Sequence, residues 1–238
     1  AKNLTGAVGN EAASRPSDSI PSQDLATEDR KVAPGVLLPL TSGRFALPLA
    51  LPFGSATADS LATLATEAAA HGISDIRPAP SRTLLMICPS ADAVPSLVAT
   101  AAALGFITEP VDVRSRIAAC PGAPACASGH IPARSIAAVV AEALGNALDG
   151  KRTLHVSGCA KGCARQAPAD ITVVGGEIGA GLVVNGTAGQ KPVAYTSELE
   201  LPRVIRDLLG AARADSGTAG EEPGEVHVGA GSYERERR

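Results

Sequence analysis

The chain is predicted to be an α+β protein built in two parts, and three observations predict it. Between residues 44 and 108, short apolar strands alternate with two helical stretches in the order β-α-β-β-α-β, the split βαβ or ferredoxin-like half-repeat. From about residue 111, strands and an alanine-rich helix carry two cysteine clips on the loops between them. Both ends of the chain lack any hydrophobic period. The expected organisation is a disordered tail or linker over 1–33, a ferredoxin-like half-repeat over 34–110, an α/β ligand-binding domain over 111–213 and a second disordered tail over 214–238.

Arg44 to Leu51 is a short apolar run broken by prolines, the pattern of an edge strand. Thr57 to His71 follows as a helix, with Thr57 or Asp59 as N-cap, leucines at 61 and 64, and Gly72 just past the end. Asp75 to Arg77 and Thr83 to Cys88 are two strands joined by a turn at Pro78-Ala79-Pro80. Ala91 to Leu104 is a second helix, capped by Asp92 with Pro95 in its first turn, and it stops at Gly105. Phe106 to Thr108 closes this part as a short strand. Val111 to Arg116 leads into the first cysteine clip, and Pro132 to Leu148 is a helix ending before Gly150. Arg152 to Val156 is a strand that delivers the second clip. Ile171 to Val174 and Gly181 to Val184 form a hairpin, and Glu198 to Ala212 is a closing helix.

Composition narrows the function classes. With 238 residues and 45% apolar content the chain can bury a core, although alanine supplies much of it. A formal net charge of −3 gives no global attraction to nucleic acid. No run of eighteen uninterrupted apolar residues exists and no secretory leader opens the chain, so neither membrane insertion nor secretion is expected. An odd count of 5 cysteines likewise argues against a secreted disulfide framework and for a cytoplasmic location. The missing initiator methionine suggests a processed or excised piece.

Four of those cysteines form two unequal pairs, Cys120-x5-Cys126 in ACPGAPACASGH and Cys159-x3-Cys163 in HVSGCAKGCARQ. A thiolate quartet is a soft-ligand site suited to zinc or to an iron–sulfur cluster. Zinc clips are usually C-x2-C to C-x4-C, because four sulfurs must converge on one small ion. An x5 arm beside an x3 arm spans something larger, which favours a 4Fe-4S cube over zinc, disulfides or idle thiols. Glycine, alanine and proline crowd both clips, so backbone N–H groups can approach the sulfurs closely. Cys88 ends an apolar strand and reads as a buried thiol. The glycine string Gly175 to Gly186 lacks the G-x-G-x-x-G pattern and lies between strands, so it reads as a hairpin turn and not as a dinucleotide site.

At these cysteines the sequence resembles the sulfite/nitrite reductase superfamily and, within it, the precorrin-3B synthase family of aerobic cobalamin biosynthesis. The segments that carry the likeness are CPGAPACASGHIPAR (Cys120 to Arg134), LHVSGCAKGCA (Leu154 to Ala164), ITVVG with GLVVNGTA (Ile171 to Ala188) and IRPAPSR (Ile76 to Arg82). The resemblance covers roughly residues 35–212. It implies that the second part is an iron–sulfur domain of the sulfite/nitrite reductase type, with Cys120, Cys126, Cys159 and Cys163 as ligands of a 4Fe-4S cluster. It also implies oxygen-dependent hydroxylation of precorrin-3A with lactone formation, an additional non-heme iron, and an NADH-linked electron donor. Family members are built from two similar halves. This chain resembles the second, so a missing N-terminal half is an expected partner and the chain alone is expected to be inert.

A precorrin periphery is rich in carboxylates, for which guanidinium and ammonium groups are the matching donors. Arg116 and Lys161, together with Arg114 and Arg165, lie within a few residues of the cysteines, and Arg77 and Arg82 form a second candidate clamp across a proline-bracketed turn. Solvated surface cations are the plain alternative for all of them. His130 and His155 sit near cysteines and could move a proton or bind non-heme iron, or simply be structural. His71 needs no role beyond a helix C-terminus. Two other functions compete with the hydroxylase. One is a sulfite or nitrite reductase half, in which Cys163 would bridge to siroheme iron. The other is a non-catalytic iron–sulfur or zinc-binding module.

Overall fold

The computed structural model describes residues 32–145, 148 and 152–214. The tails expected over 1–33 and 214–238 therefore lie almost wholly outside the described residues, as does the helix stop expected at Gly150. The first sheet contains β1 (Leu38–Pro39), β2 (Phe45–Ala50), β3 (Ile76–Ala79) and β4 (Thr83–Cys88), all antiparallel in the order β1-β2-β4-β3. Helices α1 (Ala58–Ala70) and α2 (Val94–Ala103) complete the split βαβ pattern. Its closing strand is reduced to one antiparallel bridge, Ile107 to Ala50, with β1 occupying the other end of the same edge. Strand alternation explains the core. Leu47 and Leu49 of β2 and Met86 and Cys88 of β4 share one face, packed against Leu64 and Ala68 of α1 and Leu97 and Ala101 of α2. Each helical pair is spaced i, i+4, so each helix turns one stripe to the sheet.

The helix caps follow the sequence only in part. Thr57 accepts from the N–H of Ser60 and His71 ends α1 before Gly72 at φ +73, as its sequence predicts. At α2, Ala93 and not Asp92 occupies the cap and makes no side-chain bond, because an Ala91–Val94 backbone turn starts the helix later. The β3–β4 turn also differs from expectation. β3 runs through Pro78 and Ala79, which an edge strand permits since proline lacks only a donor that would point away from the sheet. The chain reverses instead at Ser81 and Arg82, at φ +63 and +62.

The second sheet has β5 (Ile117–Ala119), β6 (Leu154–Ser157), β7 (Ala169–Gly176), β8 (Gly179–Gly186) and β9 (Ala194–Thr196) in sequence order. β5, β6 and β7 are parallel, and β8 and β9 return antiparallel. The sequence did not announce β5 or β9, each three residues long. Helices α3 (Ala133–Leu144) and α4 (Leu201–Ala214) cover one face, where Ile136, Val140, Leu201 and Ile205 meet Ile117, Leu154, Val156 and Val173. α3 stops four residues earlier than expected because Gly145, at φ +48, caps it. The sheet's other face is smaller and more polar, with His155, Ser157 and Thr172 beside Val174 and Val183.

The expected boundary near residue 110 separates the two sheets, but side chains cross it, among them Arg114, whose Nη1 donates to the Gly105 carbonyl at 3.0 Å. Phe53, in a 3₁₀ turn after β2, is buried in the second core. Arg82 donates from Nη1 to the carbonyl of Ile117 (2.6 Å) and from Nη2 to that of Ser115 (3.3 Å).

Candidate metal centre

Both cysteine loops leave the carboxyl ends of neighbouring parallel strands, the end at which open α/β sheets place their ligands. β5 delivers Cys120, and β6 delivers Ser157, Gly158 and Cys159, with Ala119 and Val156 paired in the last rung. Cross-bonds then pin one loop to the other. The N–H of Gly158 donates to Cys120 Sγ at 3.1 Å, and the N–H of His130 donates to the Gly158 carbonyl at 2.8 Å. Lys161 Nζ reaches Ser128 Oγ at 2.9 Å from the second loop to the first. Within the first loop, Cys126 bonds back to Gly122 and Ala123 to Ile131.

Glycine makes this approach possible. A Cβ on Gly158 would stand 2.9 Å from Gly122 Cα and 3.5 Å from Cys120 Sγ, and one on Gly175 would stand 2.4 Å from the Gly158 carbonyl. Gly122 adopts φ +66 with Ala133 against its back. The backbones of Gly122, Gly129, Gly158 and Gly175 thus approach one another where side chains could not fit. All five cysteines are free thiols, and their exposure grows along the loops: Cys120 buried, Cys126 and Cys159 intermediate, Cys163 exposed.

Among the described residues, no group of three or more His, Cys, Asp or Glu side chains is gathered tightly enough to hold a metal ion. The donor chemistry and the surrounding cradle nonetheless fit a cluster. Four unpaired thiols sit on two bonded loops, one sulfur already accepts a backbone N–H, and a buried histidine lies beneath the second loop with no partner on either ring nitrogen among the described residues. That histidine, His155, is fully buried. Burial first, and the positive field of Arg165 second, push its imidazole pKa down to about 4, so it is neutral at neutral pH. Cys88 lies in the first core with its thiol toward the Met86 carbonyl, and burial pushes its pKa up. It is a packing residue of the other sheet.

The candidate cations separate. Arg77 and Arg82 are not joined in one clamp, which corrects that expectation. Arg77 is forked onto Asp75 (Nη2–Oδ2 2.5 Å), whereas the reversal at residues 81–82 sends Arg82 across to β5. Arg82 and Arg116 instead line a crevice of about 290 Å³, together with Arg114, Ser115 and Thr153. This crevice lies at the amino ends of β5 and β6, the opposite end from the cysteines. Arg114 is held by Asp112, and Arg165 by the Pro168 carbonyl. His130 is exposed, and His71 pairs with Glu67 at 3.2 Å. Sequence reasoning missed Arg134, whose Nε is buried in the first turn of α3 without an acceptor among the described residues. Its only signal was its place just after the first clip.

No family model matches the chain. Over 154 residues, 64% of its length, the chain is 42% identical to precorrin-3B synthase from Sinorhizobium sp. It spans about a third (33%) of that relative. Among solved structures, the NirA protein of Mycobacterium tuberculosis superposes with a TM-score of 0.64 at 22% identity, covering 75% of this chain and 37% of that one. The likeness to precorrin-3B synthase expected from the cysteine segments is thus found in a named relative, and the fold is one that the NirA protein shares. No described helix is long and apolar enough to cross a membrane.

Proposed function

We propose that this chain is the cluster-bearing part of a precorrin-3B synthase-type oxidoreductase, which hydroxylates precorrin-3A with dioxygen and closes a lactone. The observation that carries the reading is the pairing of the two cysteine loops at the carboxyl ends of β5 and β6, bonded through Gly158. The 42% identity to a precorrin-3B synthase supports the choice of reaction.

Cys120, Cys126, Cys159 and Cys163 would hold the 4Fe-4S cluster. When bound, the cluster supplies one-electron transfer at a potential set by its hydrogen bonds and burial. The chain's own residues prepare that setting. Gly158 offers its N–H to Cys120 Sγ, the most buried of the four sulfurs. Glycines 122, 129, 158 and 175 let the loops close without side chains. Cys163 is the exposed member of the four, and in this reading a tetrapyrrole would dock on its side. The remaining two thirds of a full-length enzyme would complete the substrate cavity, with an NADH-linked donor supplying electrons and the cytoplasm as the setting.

The test is turnover of precorrin-3A by the cluster-loaded chain supplemented with the rest of a full-length enzyme, under isotopically heavy dioxygen. A hydroxylated product carrying one heavy oxygen is expected. Substrate returned unchanged, with the cluster intact, would contradict the assignment.

A further inference from the structure

Lys161 is the one cation inside a cysteine clip, two residues after Cys159 and two before Cys163. Its stem is fixed. Gln166 donates from Nε2 to the carbonyls of Lys161 and Gly162 (3.3 and 2.9 Å), and Gly162, buried at φ +63, backs onto Ala188. Its tip is fixed as well. Nζ donates to Ser128 Oγ at 2.9 Å, and Ser128 stands two residues after Cys126. The ammonium group is thereby held where the two cysteine loops meet. Among the described residues that hydroxyl is its only partner, and a hydroxyl carries no charge. Neither loop supplies an acid, since residues 120–131 and 157–168 contain no Asp or Glu. Arg165, the other cation of the second loop, is bound to the Pro168 carbonyl.

Ordering an exposed lysine costs side-chain entropy that one neutral hydrogen bond offsets only in part. The charge has a use at this point. We infer that Lys161 is a positioning residue that clasps the two cysteine loops and holds a positive charge beside the cluster, raising its reduction potential. A thiolate-bound cluster gains one negative charge when it takes up an electron, and its potential responds to net charge, hydrogen bonds and exposure. An ammonium group beside it attracts the reduced form more strongly than the oxidised form. The bond to Ser128 keeps that charge from swinging out into solvent. The inference rests on the cluster reading above and deepens it, naming the residue that sets how readily the cluster accepts an electron.

The test is an anaerobic potentiometric titration of the cluster-loaded full chain, with the reduced fraction read from visible absorbance. It compares the parent with Lys161→Gln, Lys161→Arg, Ser128→Ala and Arg44→Gln, the last removing the same charge between β1 and β2 of the other sheet. Iron and sulfide are measured for each. Lys161→Gln is expected to shift the reduction equilibrium toward the oxidised form by about threefold or more, about 28 mV for a one-electron couple. The shift should shrink as salt is raised. Ser128→Ala should shift it the same way by less, while Lys161→Arg and Arg44→Gln should stay at the parent potential. An unchanged potential in Lys161→Gln, or an equal shift in Arg44→Gln, would overturn the inference and leave the cluster reading standing. A Ser128→Ala variant matching the parent would overturn the clasp. A parent chain that takes up no iron and sulfide would overturn the cluster reading and this inference with it. If Lys161→Gln fails to hold its cluster, Ser128→Ala decides the matter alone.

Discussion

Gly158 and Cys120, thirty-eight residues apart, meet across a 3.1 Å N–H···S bond that closes one cysteine loop onto the other. The carbonyl of the same glycine accepts from the N–H of His130, so a single residue both gives to and receives from the first loop. The contact exists only because Gly158 lies against Gly122 and Gly129 with no side chain between.

Gly158→Ala and Gly122→Ala are therefore expected to cost about 2–5 kcal/mol each, through overpacking and, at Gly122, through its positive φ. Gly210→Ala, at an exposed position of α4, meets nothing within 4 Å and should gain about 0.5–1 kcal/mol. Urea denaturation of the three variants checks the order.

Arg82 is expected to behave as a tie between the sheets. Arg82→Ala removes charge-assisted bonds to Ile117 and Ser115 and should lower stability by about 1.5–3 kcal/mol. Ser81→Gly, which relaxes a residue at φ +63, should raise it by about 1 kcal/mol. Opposite signs at adjacent positions in equilibrium unfolding are the result to look for.

Cys126→Ser and Cys159→Ser are expected to abolish cluster binding, seen as loss of visible absorbance, and to speed hydrogen exchange in the loops over 120–130 and 158–168. Cys88→Ser should keep the cluster and only weaken the first core, where the thiol is buried. A lost cluster in Cys88→Ser would overturn the ligand assignment.

His155 supplies the pH dependence. Its pKa falls from an ordinary 6.5 to about 4 on folding, so below 6.5 the unfolded chain binds a proton that the folded chain refuses. Its contribution is fully present above pH 6.5 and is lost as pH falls toward 4, about 3 kcal/mol in all. His155→Leu should flatten the stability profile between those limits, measured by denaturation at a series of pH values.

The sequence displayed the residues whose signal is local. Thr57 and Gly72 bracket α1 because capping chemistry is read from a few neighbours. The cysteine spacing likewise pointed to loops, and both loops emerge where strands end. What escaped was set by distant packing. β5 and β9 are three residues long and exist only because β6 and β8 pair with them. The reversal at Ser81-Arg82 defied the prolines beside it because the edge strand tolerates Pro78 and Arg82 finds acceptors on β5. Phe53 carried no motif, since its importance lies in a distant core that no local pattern encodes.

The central claim, a cluster held by Cys120, Cys126, Cys159 and Cys163, is tested most directly by iron, acid-labile sulfide, zinc and tetrapyrrole content of anaerobically purified protein. Iron and sulfide in equal amounts, near four of each per chain and without siroheme, is the result expected for one 4Fe-4S cube (about one cube per thiolate quartet). Bound siroheme would move the chain to sulfite or nitrite reduction. Zinc without sulfide would contradict the account and leave a structural metal domain.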